Sequence, residues 1–207
     1  MTEQPAVETT PVINIEGGLV GLGPLRRDLL DLYGRWNNDF GVTRNLARSR
    51  PTTLEQEAAT YDELIKDTTL CCFTVYERAT WRPIGVTYLA HIDHWNRCAD
   101  FGIVIGERDC HGKGYGTETT RLALDYAFTV LGLNNVELTC RAHNLAGLRV
   151  YEKAGLKEVG RRRQCRWLAG RPWDNVYMDC IAAEFDSPVL RHIFVPDEPR
   201  GARVPTE

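Results

Sequence analysis

Residues 110–118 read Cys110-His111-Gly112-Lys113-Gly114-Tyr115-Gly116-Thr117-Glu118, with three glycines at alternate positions leading straight into a helical pattern. A glycine inside a regular element costs about 0.5–1 kcal/mol relative to alanine, so this loop calls for a task that only backbone can do. Between a strand and a helix, the first helical N–H groups have no partner. Glycines let several of them converge on an anion, backed by the helix dipole. A phosphate or pyrophosphate is the ligand class that fits. A Walker A loop is excluded, because no Lys-Ser/Thr pair closes the stretch. A dinucleotide fingerprint belongs in a parallel βαβ unit, and the strands before this loop read otherwise. A glycine-rich turn with no ligand is the plain alternative.

Downstream, residues 117–133 form the clearest helix, with Leu122, Ala123, Tyr126, Ala127, Val130 and Leu131 on one stripe and Gly132 at its end. Residues 134–142 alternate as a strand that puts Val136, Leu138 and Cys140 on one face. "NLAGLRVYEKAGL" (144–156) is a short helix, with Asn144 as N-cap and Gly155 just past its end. Two strands follow, about 157–169 and 173–184, joined by "AGRPWD". Upstream, runs 69–78, 82–95 and 97–107 are β-rich and close in sequence, an antiparallel meander. Adjacent Cys71 and Cys72 point to opposite faces there. Before the meander, 18–25 is a strand and 26–39 carries Leu29, Leu32, Tyr33 and Trp36 at helical spacing. Residues 52–67 open with Thr52 and Glu55 in capping-box spacing. The order predicts an α/β (α+β) domain with a mixed, mostly antiparallel central sheet flanked by helices. Its bounds are 13–185, between a disordered tail (1–12) and a Pro-rich C-terminal tail (186–207), where "VLRHIFV" is apolar enough to dock.

With 207 residues, 43% hydrophobic and a net charge of −3, the chain has one sizeable core and no global field. Nucleic acid is therefore not an expected partner, and no apolar run approaches the ~18 residues of a membrane span. The N-terminus has neither the basic nor the apolar region of a secretory leader. Seven scattered cysteines without a CxxC pair read as thiols of a reducing cytoplasm, with no metal site.

"HGKGYG" followed by "TE" and a helix resembles the acetyl-CoA loop of the GNAT N-acetyltransferases, Gln/Arg-x-x-Gly-x-Gly/Ala, with His111 at the Gln/Arg position and Gly114 and Gly116 as required. "NLAGLRVYEKAGL" resembles the same family's Asn-x-x-Ala-x-x-x-Tyr-x-Lys-x-Gly-Phe/Leu helix. The likeness covers about 18–184 and is closest to the ribosomal-protein N-terminal and spermidine/spermine acetyltransferases. It implies acetyl-CoA as acyl donor, held by Ile103, Val104 and Ile105 of a bulged strand, by His111, Gly112, Lys113, Gly114, Tyr115, Gly116 and Thr117, and by Asn144. Backbone donors of the bulge would meet the oxyanion, and the Tyr151 phenol would protonate the leaving thiolate. Asp100 is the favoured base, with Glu107, His91 and His94 as alternatives, and His91 is also a candidate for acceptor contact.

Polyamine acceptors call for a carboxylate-lined entrance. The segment between the first two helices instead carries Arg44, Arg48 and Arg50, which disfavours a polycation and favours a neutral or acidic acceptor such as a peptide N-terminus or a small amine. A polyamine acetyltransferase and a non-catalytic acetyl-CoA sensor are the alternatives. The family branch also implies a homo-oligomer.

Overall fold

The Gly114 backbone is left-handed (φ 91°) and caps the helix that follows it. Gly155 does the same at the end of the next helix (φ 109°). These two reversals fix where the chain leaves and rejoins the sheet. The computed structural model describes residues 10–46 and 50–197. Arg48 and most of the expected N-terminal tail lie outside those residues, as does the end of the C-terminal tail.

The strands are β1 (Ile15–Glu16), β2 (Val20–Pro24), β3 (Cys71–Glu77), β4 (Pro83–Asp93), β5 (Cys98–Ile105), β6 (Asn135–Arg141), β7 (Lys157–Leu168) and β8 (Arg171–Ile181). They form one sheet in the order β1-β2-β3-β4-β5-β6-β8-β7. All neighbours are antiparallel except β5 and β6, which pair in parallel over Cys98–Asp100 and Asn135–Glu137. The expected α/β (α+β) class with a mostly antiparallel sheet is the one observed. The last hairpin is tighter than expected: Ala169 and Gly170, both at positive φ, make a two-residue turn of the kind that matches strand twist.

Helices α1 (Leu30–Asn38), α2 (Phe40–Thr43) and α3 (Leu54–Leu64) cover one face, while α4 (Tyr115–Asp125) and α5 (Leu145–Ala154) cover the other. On the first face, Tyr33 of α1 and Thr74 of β3 share a buried 2.6 Å hydrogen bond. Strand parity explains the split, since Thr74 faces α1 while its neighbours Phe73 and Val75 join Leu122 of α4 in a core cluster. The capping box of α3 is one residue later than Thr52 and Glu55. Thr53 accepts from the Gln56 N–H and Gln56 bonds back to Thr53, the reciprocal geometry a glutamine at that position permits equally well.

The helical stripe after the glycine loop holds through Ala127 and then slips. Residues Tyr126–Val130 form a π-helical turn, and the wider turn rotates Val130 outward to 37% exposure while Leu133 is buried. Beyond β8 the chain returns to α4. There the Val189 and Leu190 N–H groups donate to Asp125 Oδ2 at 3.0 and 2.9 Å. Leu190 is buried in the core, whereas Ile193, Phe194 and Val195 are exposed.

Candidate active site

Three residue pairs are all that hold β5 to β6. Past Asp100 the two strands splay, leaving the β5 edge at 101–105 unpaired on its β6 side. The gap is a groove of about 350 Å³, walled by Phe101–Ile105 of β5, Leu138–Arg141 of β6, Gly116 of α4, and Asn144, Val150 and Tyr151 at α5. Residues after α2, including Arg44 and Leu46, close its other end.

The glycine loop forms one end of this groove. Gly112 (φ 75°) and Gly114 (φ 91°) occupy a conformation that side chains resist, whereas Gly116 lies in the helix and a Cβ there would meet Val150 at an ordinary 3.6 Å. Two of the three glycines thus shape the backbone. His111 ties the loop to the strand before it: its Nε2 donates to the Ile105 carbonyl at 2.9 Å. The unpaired N–H groups at the start of α4, next to a strand edge with free backbone, fit an elongated ligand with an anionic end.

Residues 20–157 match the acetyltransferase (GNAT) domain. The chain belongs to this family. Spermidine N(1)-acetyltransferase of Escherichia coli K12 is 30% identical over 162 residues, 78% of this chain and 85% of that protein. The Vibrio cholerae enzyme of the same name is 32% identical, covering 79% and 94%. The crystal structure of Vibrio cholerae spermidine N-acetyltransferase in complex with CoA and spermine superposes with a TM-score of 0.75 at 25% identity, covering 81% of this chain and 98% of that one. Human alpha/beta-tubulin-N-acetyltransferase 9 is 29% identical over 61% of this chain. The protein is an acetyl-CoA-dependent N-acetyltransferase.

Of the residues singled out from sequence, Ile103, Val104, Ile105, His111, Gly112, Gly116, Asn144, Tyr151 and Arg44 all line the groove. Asn144 is held by its cap, its Oδ1 accepting from the Gly147 N–H at 3.1 Å. Tyr151 projects from α5 and meets Phe101 edge-on, with ring centroids 6.3 Å apart. Burial raises its phenol pKa above the ordinary value, with Cys140 and Tyr88 adding to the shift. Among the described residues its hydroxyl has no hydrogen-bond partner.

Other candidates point elsewhere. Tyr115 donates to Glu77 at 2.6 Å, and that bond, with desolvation, pushes its phenol up to about 12. Lys113, Gly114, Thr117 and Arg50 are absent from the groove wall; Gly114 and Thr117 line a separate cleft on the outer side of α4. Asp100 sits one residue below the wall, its Oδ2 2.7 Å from His91 Nδ1, and His91 is 82% exposed. Glu107 accepts from Trp36 Nε1 at 2.8 Å and pairs with Arg35, tying α1 to the end of β5. The strand irregularity is also displaced. Ile103–Ile105 pair with β4 in regular register, and the bulge comes at Gly106 and Glu107, whose N–H groups both reach the Ile84 carbonyl. A Cβ on Gly106 would lie 2.2 Å from the Trp36 ring, so the chain bends where that ring demands room.

Arg141, Tyr88 and Cys140 are among the groove residues that the sequence reading gave no site role. Arg141 donates from Nη2 to the Leu46 carbonyl at 2.5 Å, and burial together with nearby Arg166 lowers its pKa. Tyr88 lies across the sheet from Gly102. Cys140 also forms part of the wall, and burial pushes its thiol up to about 11. Only their strand parity hinted at these positions. A thiol so far above neutrality stays protonated and is a poor nucleophile.

Proposed function

We propose that the acceptor is a primary amine with no further positive charge, an α-amine of a peptide or a small amine. The observation that carries this is the groove wall: its charged side chains are Arg44 and Arg141, and among its described residues there is no carboxylate. Two like charges about 6 Å apart repel by roughly 3 kcal/mol at an effective dielectric of 20, enough to disfavour a polycation.

Acetyl-CoA supplies an activated acetyl thioester. The loop N–H groups at Gly112–Gly116 hold its anionic end, and the free β5 edge at Ile103–Ile105 offers backbone donors to the thioester oxygen. The amine nitrogen adds to the thioester carbon, forming the C–N bond and a tetrahedral oxyanion, and collapse of that oxyanion breaks the C–S bond. Tyr151 gives its proton to the sulfur and the amine proton leaves to solvent. A phenol with a raised pKa is fully protonated at neutral pH and ready for that role. The inert Cys140 thiol supports direct attack by the amine over an acyl-cysteine route. Asn144 borders the thioester arm. Asp100 and His91, outside the wall, are assigned no part in the transfer.

A second reading, spermidine acetylation, is favoured by the Escherichia coli and Vibrio cholerae relatives and by a carboxylate row. Asp100, Glu137 and Asp179 are in register across β5, β6 and β8. We also propose self-association, in keeping with the dodecameric Vibrio cholerae structure, and a reducing cytoplasmic setting, in keeping with seven free thiols. The test is thiol release from acetyl-CoA with spermidine, single amines and short peptides. Spermidine should trail the best single-charge acceptor by at least tenfold. Spermidine as the best acceptor would replace the first reading by the second.

A further inference from the structure

A second cavity, of about 380 Å³, lies beside the groove between α1, α3 and strands β3–β5. Leu25, Leu30, Leu64, Leu70, Val86 and Tyr61 contribute to its wall. Leu46, Tyr88 and Val104 line both spaces, so the two adjoin where β5 presents its free edge. The Tyr88 ring rests on Gly102 so closely that a Cβ there would fall 2.1 Å from its Cζ. Only glycine at 102 lets the ring lie flat between groove and cavity.

The cavity wall holds one carboxylate, Glu57, and both its oxygens accept from Asn37 Nδ2 at 2.9 Å. It is buried and engaged within the protein. The remaining wall is largely aliphatic and aromatic. Apolar surface left facing water forgoes about 25 cal/mol per Å² of burial, which a ligand with an apolar body would recover. A cavity of about 150 Å³ lined by aliphatic side chains already admits benzene. The volume here has room for an aromatic ring and the short chain linking it to an amine in the groove.

We propose that this cavity receives the apolar body of the acceptor, so that the enzyme selects primary amines bearing an aromatic or branched aliphatic group. The proposal rests on the acetyl-transfer reading of the groove and narrows its acceptor. A free arylalkylamine and a peptide beginning with Phe or Leu present the same chemistry, and the assay separates them.

The experiment measures thiol release from acetyl-CoA with 2-phenylethylamine, ethylamine, and tripeptides beginning with Phe or Gly. Within each pair the apolar member should have at least tenfold higher kcat/KM, and the better pair identifies the source. Leu70→Trp, which fills the cavity, should cut the phenylethylamine-to-ethylamine ratio at least tenfold through KM. Should that variant melt early, Leu64→Ala enlarges the same space and should shift preference toward naphthyl-bearing amines. Equal kcat/KM within both pairs, or a ratio unmoved by either variant, overturns the proposal. Acetyl-CoA binding with no thiol release from any amine would instead overturn the acetyl-transfer reading beneath it.

Discussion

Glu118, in the first turn of α4, reaches 98 residues back along the chain to the β1–β2 turn. Its Oε1 accepts from the Gly18 N–H at 2.9 Å, and its Oε2 from Leu19 and Val20 at 2.6 and 2.7 Å. Gly17 packs so tightly that a Cβ there would fall 2.8 Å from the Glu118 carboxyl carbon. Glu118→Ala removes an acceptor shared by three donors. Gly18 and Leu19 are exposed, so water takes over there at little cost. Val20 is buried, and an orphaned buried N–H costs about 1–3 kcal/mol. Losing an acidic group from the first helical turn adds about 0.3–1 kcal/mol. Alanine's helix propensity returns only a few tenths. The net loss is about 1–4 kcal/mol, or roughly 3–12 °C in Tm for a domain of this size. Glu118→Gln keeps one acceptor and should lose about half as much. Thermal unfolding followed by circular dichroism tests this directly. Because the same turn of α4 carries Gly114–Gly116, acetyl-CoA affinity should weaken several-fold in Glu118→Ala. A variant melting within 1 °C of the parent would refute the clamp.

Gly114→Val forces a β-branched side chain to φ 91° beside Leu19 and should abolish acetyl-CoA binding by calorimetry. His111→Ala, which removes only one side-chain tie, should weaken it a few-fold. Burial, then Asp100, then Asp179 raise the Glu137 pKa above its ordinary 4.5. A carboxylate whose folded pKa is raised destabilises the native state above that pKa, and protonation relieves the penalty as pH falls. Glu137→Gln should therefore raise Tm at pH 7, with the gain vanishing once pH drops to about 4; an equal gain at both pH values would exclude electrostatic strain.

Elements with local grammar were legible from sequence. The α5 cap, its glycine stop and the glycine loop declare themselves through φ and capping chemistry confined to neighbours, whereas Tyr151 was marked only by the resemblance of its helix to the family's motif. Residues placed by partners far along the chain did not. Arg141 and Tyr88 reach the groove because of how β4, β5 and β6 register, which no single strand encodes. Glu118 and Asp125 share one helix, yet Glu118 binds backbone at residues 18–20 and Asp125 binds backbone at residues 189 and 190, partners that no local pattern announces. Asp100 stops one step short of the groove because β5 is still paired with β6 there, and the wall opens at Phe101 where that pairing ends. The π-helical turn broke the stripe at Val130 because periodicity alone assumes an unbroken α-helix.

The decisive measurement is the steady-state turnover of Tyr151→Phe with its best acceptor, alongside acetyl-CoA affinity and Tm. The phenylalanine ring keeps the edge contact with Phe101 and removes only the hydroxyl. A general acid of this kind contributes about 10²–10⁴-fold, so kcat should fall by at least a hundredfold while affinity stays within twofold and Tm within 2 °C. A kcat within threefold of the parent would contradict proton transfer from Tyr151 and with it the proposed chemistry of the groove.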